Sequence, residues 1–310
     1  MCAVALTILP SSVRLKRMWG TSSPGFRLRR PLLTVVCLFL LVDLVLLAVF
    51  FFSGKPRPLT VAFLDVGQGD AVFIEAPNGN QLLYDAGPPS GAVLRELARM
   101  MPFWDRSIDV LILSHPDLDH IGGAVDILRR YKVEVTLVSG AEGASSAFTA
   151  VEAAFGAHGV DRLLARKGET IVLGDGVFVD ILYPGDVPLP EETNDASVSV
   201  RVRYGETAFV LSGDLSRWGE YRILDDTPER LTAQVLKLGH HGSKTSSSER
   251  WLLEIAPQVV VISAGRDNKY GHPHQEVLDL LDRLSVPSVR TDQEGTIVFE
   301  SDGVLVNQKE

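Results

Sequence analysis

Ser114-His115-Pro116-Asp117-Leu118-Asp119-His120-Ile121-Gly122-Gly123 is the stretch that decides how this chain folds. It follows directly on Ile108-Asp109-Val110-Leu111-Ile112-Leu113, an apolar run of strand length and β-branched content. Four side chains able to hold a metal, His115, Asp117, Asp119 and His120, thus fall within six residues at the end of a strand. The glycine pair Gly122-Gly123 then opens a helix. Imidazoles and carboxylates at this density suit zinc or manganese, whereas an ordinary surface turn carries one His and one Asp by chance. His115 and Asp117, two apart in a loop, can converge on one ion; the adjacent Asp119 and His120 can face a second.

Four further polar clusters lie along the chain: Asp65-Val66-Gly67-Gln68-Gly69-Asp70, Leu211-Ser212-Gly213-Asp214, Gly239-His240-His241-Gly242-Ser243 and Tyr270-Gly271-His272-Pro273-His274. The His115 segment resembles the His-x-His-x-Asp-His signature of the metallo-β-lactamase superfamily, with Asp117 at the middle His. The five clusters in this order look more closely like the metallo-hydrolase domain of ComEC-type competence proteins, over about residues 59–308. The resemblance implies an α/β fold, the αββα sandwich of the metallo-β-lactamase type. It also implies two divalent metal ions, zinc or manganese, and a phosphodiester substrate, single-stranded DNA among the candidates.

Several residue roles follow from the resemblance alone. Asp214 is implied as a carboxylate bridging both ions, against a plain helix N-cap before Trp218. Asp85, at a strand end before Gly87, is implied to orient a ligand without binding metal. The third His that the superfamily places between His120 and Asp214 is missing, because the only His there, His158, reads as a solvated helix end. Asn194 or Asp195, in Thr193-Asn194-Asp195-Ala196-Ser197, or a water, is expected to complete the first site in its place.

Of His240 and His241, one is expected as ligand and the other as acid or phosphate donor; the residues do not order them. The working assignment takes His115, Asp117, Asp119, His120, Asp214 and His240 as metal ligands, and Asp119, His241, Lys244 and His272 as catalytic. His274 is the weaker candidate beside His272, and Asp70 reads as a loop anchor or supporting acid. Two ions would lower the pKa of a bridging water, whose hydroxide would attack phosphorus in line. A His or Lys244 would then stabilise the leaving oxygen. Gly242, Ser243 and Thr245 are candidate phosphate donors, with capping of the following helix as the plainer reading.

The first 58 residues read differently. Residues 31–52 form a 22-residue apolar run whose one charge is Asp43, long enough as a helix to span roughly 30 Å. Before it lie Arg14, Lys16, Arg17, Arg27, Arg29 and Arg30 and no acid. By the positive-inside rule residues 1–30 stay in the cytoplasm, 31–52 form one transmembrane helix, 53–58 link it, and the hydrolase domain 59–310 lies outside. A cleaved signal peptide is the competing reading, which the length of the run disfavours. Asp43 marks either a helix partner or a lone protonated acid. Both cysteines, Cys2 and Cys37, lie before residue 59, so the domain has no thiol chemistry.

Charge restricts the partners. Six of the 30 basic residues and one of the 39 acidic ones precede residue 53, leaving 24 against 38, a net of −14. A long non-specific DNA track does not fit such a body. Lys237, Lys244, Arg266 and Lys269 near the His clusters allow a local basic mouth. ComEC-type transporters carry a many-helix channel, so translocation would need a separate channel protein. The alternatives are a hydrolase of the same fold acting on a cell-envelope phosphodiester or ester, and a non-catalytic accessory binding module.

Periodicity predicts strands at 59–66, 71–76, 81–86, 108–113, 133–138, 177–182, 197–204, 207–211, 234–238 and 258–263. Helices are predicted at 91–101, 121–131, 145–157, around Trp218, at 247–255 and at 275–284.

Overall fold

The computed structural model describes residues 29–53, 57–185, 189–227 and 231–309, in two units, Met1–Lys55 and Pro56–Glu310. In the first, α1 runs over Arg29–Ser53, and its described side chains, residues 32–48, are exposed. Among the described residues no helix is long and apolar enough to cross a membrane. The transmembrane helix expected at 31–52 therefore has no support in the structure and stands on the sequence alone. Residues 1–28 of the expected basic segment, and 54–56 of the linker, lie outside the described residues.

The second unit is built on strands whose two faces are both covered, which is why they read as near-continuous apolar runs. One sheet contains β1 (Leu59–Phe63), β2 (Val72–Glu75), β3 (Gln81–Tyr84), β4 (Ser107–Leu113), β5 (Lys132–Val138), β6 (Asp161–Leu164), β14 (Ile297–Ser301) and β15 (Val306–Lys309), in the order β15-β14-β1-β2-β3-β4-β5-β6. The other contains β7 (Thr170–Gly174), β8 (Val177–Tyr183), β9 (Ser199–Tyr204), β10 (Thr207–Leu211), β11 (Val235–Lys237), β12 (Val259–Ile262) and β13 (Ser288–Arg290), in the order β13-β12-β11-β10-β9-β8-β7. Val61, Phe63, Tyr84, Val110, Ile112, Phe209 and Phe299 fill the space between the sheets.

The alternate residues point outward under helices. Ala62, Leu111 and Leu113 lie beneath α2 (Ala92–Met100), α4 (Ala124–Arg130) and α5 (Ser146–His158). Val210, Leu236 and Val260 lie beneath α6 (Arg217–Asp226), α7 (Glu249–Ile255) and α8 (Gln275–Leu284). The result is the αββα sandwich expected.

β3 through β6 run parallel, as do β10 through β13. Their carboxyl ends therefore open at one edge, where ligand sites collect in such sheets. There the sheets are tied by Tyr84, whose hydroxyl donates to the Val198 carbonyl (2.5 Å), and by the Val198 N–H, which donates to the Ser114 carbonyl (2.8 Å).

The expected helix 121–131 is two pieces, α3 (Leu118–Ile121) and α4. The break falls at Gly123, where a Cβ would sit 2.2 Å from the Ala86 carbonyl oxygen. Close approach of the β3 loop, more than helix entry, accounts for that glycine.

Candidate metal centre

Every segment singled out as polar arrives at the same edge. β1 leads into the loop ending at Asp70, β3 into Asp85, β4 into His115, β10 into Asp214 and β11 into His240-His241. The first loop sits tightly on the ligand turn. A Cβ on Gly69 (φ 130°) would lie 2.1 Å from the Asp119 carbonyl, and the Asp70 N–H donates to that same oxygen (3.2 Å).

Three buried imidazoles are fixed in one tautomer each. Ser114 donates its hydroxyl proton to Asp85 Oδ2 (2.7 Å), so His115 Nδ1, 2.9 Å from Ser114 Oγ, must be the donor in that pair. His120 Nδ1 donates to Asp85 Oδ2 (2.8 Å), and His241 Nδ1 donates to the Ser263 carbonyl (3.0 Å). Each ring thus spends its Nδ1–H on the scaffold and keeps the Nε2 lone pair. All three Nε2 atoms are buried with no hydrogen-bond partner, as is Asp214 Oδ1.

Asp214 Oδ2 lies 3.3 Å from His120 Nε2, 3.5 Å from His241 Nε2 and 3.8 Å from His240 Nε2. Asp119 Oδ2 is 3.4 Å from His241 Nε2, and Asp117 Oδ2 is 3.9 Å from His115 Nε2. Ligand atoms within 4.8 Å of one another form the sets His115-His120-Asp214, Asp119-His120-His241 and Asp70-Asp214-His241, and a fourth, Asp70-Asp85-His120.

Charge points the same way. Asp70, Asp85 and Asp214 are buried in this cluster and Asp119 is half-buried; among the described residues the buried ammonium there is that of Lys237, which pairs with Asp70 and lies 3.9 Å from Asp214 Oδ1. So many carboxylates out of water demand cations. Burial pushes the His241 imidazole down, but Asp214 and Asp70 outweigh it and hold its pKa at about 9. Burial likewise opposes the His120 charge, and Asp214 and Asp85 raise it well above the ordinary value. Asp119 is held at about 2, because its 3.4 Å approach to His241 Nε2 and the His120 charge overcome its burial. Burial keeps His115 neutral, near 3. The carboxylates that draw a proton onto the His120 and His241 Nε2 atoms when no metal is bound would draw a divalent cation to the same atoms, and the donor set fits cations of the imidazole-and-carboxylate type.

The geometry orders the two adjacent histidines differently from the working assignment. His241 is buried inside the ligand sets, while His240 is partly exposed at their rim, its Nδ1 near Thr245 Oγ1 (3.3 Å) and Asn194 Nδ2 (3.5 Å). Both have left-handed backbone, φ 49° and 54°, so strand alternation does not govern which ring turns inward. Asp117 is partly exposed and accepts from Thr193 Oγ1 (2.8 Å). Asn194 Oδ1 is buried without a partner beside this group, and His158 is exposed at the end of α5.

His272 stands beside the cluster, its ring 5.5 Å from His240 and 6.1 Å from His241, and burial with the neighbouring imidazoles holds it down at about 4. His274 accepts from the Lys244 N–H (3.1 Å), and the Lys244 side chain is exposed.

The loop 243–248 is not a ready phosphate cradle. Its backbone donors are committed: Ser243 to the His240 carbonyl, Thr245 to Ser243 Oγ, Ser246 to the Ser243 carbonyl, Ser247 and Ser248 to the Glu220 carboxylate. Ser248 caps α7 by accepting from the Trp251 N–H (3.2 Å), the plainer of the two expectations.

A model of the metallo-beta-lactamase superfamily matches residues 64–266. The chain belongs to that superfamily. It is 34% identical over 255 residues to ComE operon protein 3 of Bacillus subtilis (strain 168), covering 77% of this chain and 32% of that one. It is 32% identical over 262 residues to Recombination protein 2 of Haemophilus influenzae, covering 83% and 31%. The chain thus spans about a third of the length of these relatives. Among solved structures, the metallo-beta-lactamase fold protein YhfI from Bacillus subtilis superposes with a TM-score of 0.53 at 13% identity, over 79% of this chain and 100% of that one. At that identity the likeness shows the fold alone. As a member of this superfamily, the chain has the fold and the His/Asp clusters of a metal-dependent hydrolase.

Proposed function

We propose that this chain is a metal-dependent phosphodiesterase, acting outside the cytoplasm and held to the membrane by residues 31–52. The observation that carries the enzymatic part is the set of three Nε2 lone pairs around the Asp214 carboxylate, each fixed by an Nδ1 hydrogen bond. His115, Asp214 and Asp117 would hold one ion, with Asn194 Oδ1 at its edge. Asp119, His120, His241 and the same Asp214 would hold the other. Zinc and manganese both suit these donors. Such ions, when bound, would acidify a water and withdraw charge from a phosphoryl group.

The chain's own residues do the rest. Asp85 and Ser114 hold the His115 and His120 rings in place, and Ser263 holds His241. Lys237 keeps Asp70 charged behind the cluster. His240, partly exposed on the open side with its Nε2 aimed at Asp214, is placed to bind a phosphate oxygen or give a proton to the leaving group. His272, shielded and neutral, backs it. Lys244 can meet substrate charge only by moving in from the surface.

The acidic body favours a short stretch of single-stranded DNA, or a smaller phosphodiester, over a long duplex track. The likeness to Recombination protein 2 is in keeping with a nucleic-acid substrate, for whose passage a separate channel protein would be the partner. A cell-envelope phosphodiester or ester is the second reading, because the −14 charge tells against a nucleic-acid polymer without excluding a smaller or neutral ester.

The test is turnover of bis(p-nitrophenyl) phosphate and of a labelled single strand with Mn²⁺ or Zn²⁺, beside Asp119→Ala. Turnover of both, lost in the variant, supports the nuclease reading. Turnover of the small ester alone moves the substrate to the envelope, and no turnover of either refutes the enzyme.

A further inference from the structure

The rim of the metal centre carries an exposed aromatic ring that has no part in holding metal. Tyr270, in the loop between β12 and α8, is 52% exposed. Its ring stacks on His272, with centroids 5.7 Å apart and planes 21° from parallel. The His272 ring in turn lies against those of His240 and His241. A row of rings thus runs from the metal cluster through His272 to solvent. Tyr270 stands two ring contacts from His240, the group placed to meet a phosphate oxygen.

The ring is held in place although it is exposed. Asn268 pins the turn with both ends of its amide. Its Oδ1 accepts from the Tyr270 N–H (3.2 Å) and the His272 N–H (3.0 Å), while its Nδ2 donates to the Gly265 carbonyl (3.0 Å) and the His272 carbonyl (2.6 Å). The next residues are tied to the loop that carries the histidine pair. The His274 N–H donates to the Gly242 carbonyl (3.0 Å), and a Cβ on Gly242 would lie 2.6 Å from Pro273 Cβ. A single exposed aromatic residue is ordinary. One fixed against the imidazoles of a metal centre is a preformed surface for a planar group. In segments 240–248 and 264–276 the exposed charged side chains are Lys244, Arg266 and Lys269, against Asp267 and Glu276. Among the described residues none of these three cations pairs with a carboxylate. Arg266 donates to the Asp292 carbonyl (3.3 Å), and Lys269 Nζ lies 5.0 Å from the centre of the Tyr270 ring.

We propose that Tyr270 is the platform on which a single strand lays an unpaired base beside the scissile phosphate. The proposal deepens the nucleic-acid reading of the metal centre and rests on it. With a phosphate held at the metal cluster and His240, the neighbouring nucleotide is the part of the substrate that reaches Tyr270. Stacking on a phenol ring serves any base, because every base has a π-face. It also needs a base free of its own neighbours, which a duplex does not present. Lys269 meets the ring by an exposed cation–π contact, which is weak. Its ammonium can leave the ring for a phosphate oxygen when a base takes its place. Recognition through one ring and a few local cations suits a body of net charge −14, which offers no long basic track. An envelope sugar or polyol phosphate has no comparable π-face, so Tyr270 separates the two substrate readings.

The test is steady-state turnover by the full chain with Mn²⁺ on two labelled strands of equal length, oligodeoxythymidylate and a strand of stable abasic residues. Wild type should show the lower KM on the base-bearing strand. Tyr270→Ala should raise that KM about tenfold and leave the abasic KM unchanged. Its kcat should stay within about twofold of wild type on both strands, as expected for a contact that binds without entering the chemistry. Tyr270→Phe keeps the ring and should match wild type. Equal KM values of wild type on the two strands would overturn the platform and leave the phosphodiesterase standing. So would a Tyr270→Ala variant impaired equally on both, which assigns the residue to support of His272. A Tyr270→Phe variant as weak as Tyr270→Ala assigns the contact to the hydroxyl and also overturns the stacking. Hydrolysis of bis(p-nitrophenyl) phosphate with no turnover of either strand overturns the nucleic-acid reading and the platform together.

Discussion

Lys237→Met removes the ammonium buried among the carboxylates. Lys237 and Asp70 are both fully buried and paired, and the ammonium also donates to the Gly213 carbonyl (3.3 Å). Taking away one partner of such a pair strands the other charge, at a cost of about 3–5 kcal/mol. His241 Nδ1 at 3.5 Å and His120 Nδ1 at 3.8 Å can offset part of the Asp70 charge, which favours the lower end. At about 3 kcal/mol, a domain of this size should lose roughly 10 °C of melting temperature. The assay is thermal unfolding of the purified chain with chelator present, so that metal binding does not mask the loss. A second substitution, Asp70→Leu, should recover more than half of it, because no buried charge is then left alone. A Lys237→Met melting point within about 2 °C of wild type would refute the reasoning that this pair is charged and dry.

Other expectations are simpler to state. Asp85→Asn leaves the His115 and His120 rings without their carboxylate and should weaken metal affinity about 10–100-fold in a chelator competition; unchanged affinity contradicts the orienting role. His241→Ala should lower bound metal per chain while His240→Ala keeps it and loses turnover; the reverse pattern restores the order taken from sequence. Burial raises the Glu220 pKa to about 7 despite its bonds to Ser247 and Ser248. The folded state therefore holds a proton that the unfolded chain, near 4.5, gives up. Stability should fall as pH rises from 4.5 to 7, by at most about 3 kcal/mol, and Glu220→Gln should flatten that slope in urea titrations. An equally steep slope in the variant assigns it to another group.

The ligand turn was legible because four candidate ligands crowd into six residues behind a strand covered on both faces. The core strands were legible for the related reason that β4 and β12 are almost wholly apolar. β6, all of whose residues are exposed, and the short β7 and β13 carried no such signal. β14 was missed although Thr296-Ile297-Val298-Phe299, bounded by Gly295 and Gly303, carries a strand signal; its pairing with β1, between residues more than 230 apart, was not legible. The order of His240 and His241 was not readable either. It depends on two left-handed residues and on the Ser263 carbonyl arriving from β12. Lys237 reads as a basic flank in sequence and proves to be a buried partner of Asp70. A lysine inside the apolar segment Val235-Leu236-Lys237-Leu238 was the available clue.

The central claim is that the cluster around Asp214 holds divalent metal for phosphodiester hydrolysis. It is tested most directly by metal per chain, measured on the full chain after loading with Zn²⁺ or Mn²⁺ and desalting, beside Asp214→Asn. The account predicts about two ions per chain, falling to one or none in the variant. A wild-type chain that retains no divalent ion after either loading would contradict it.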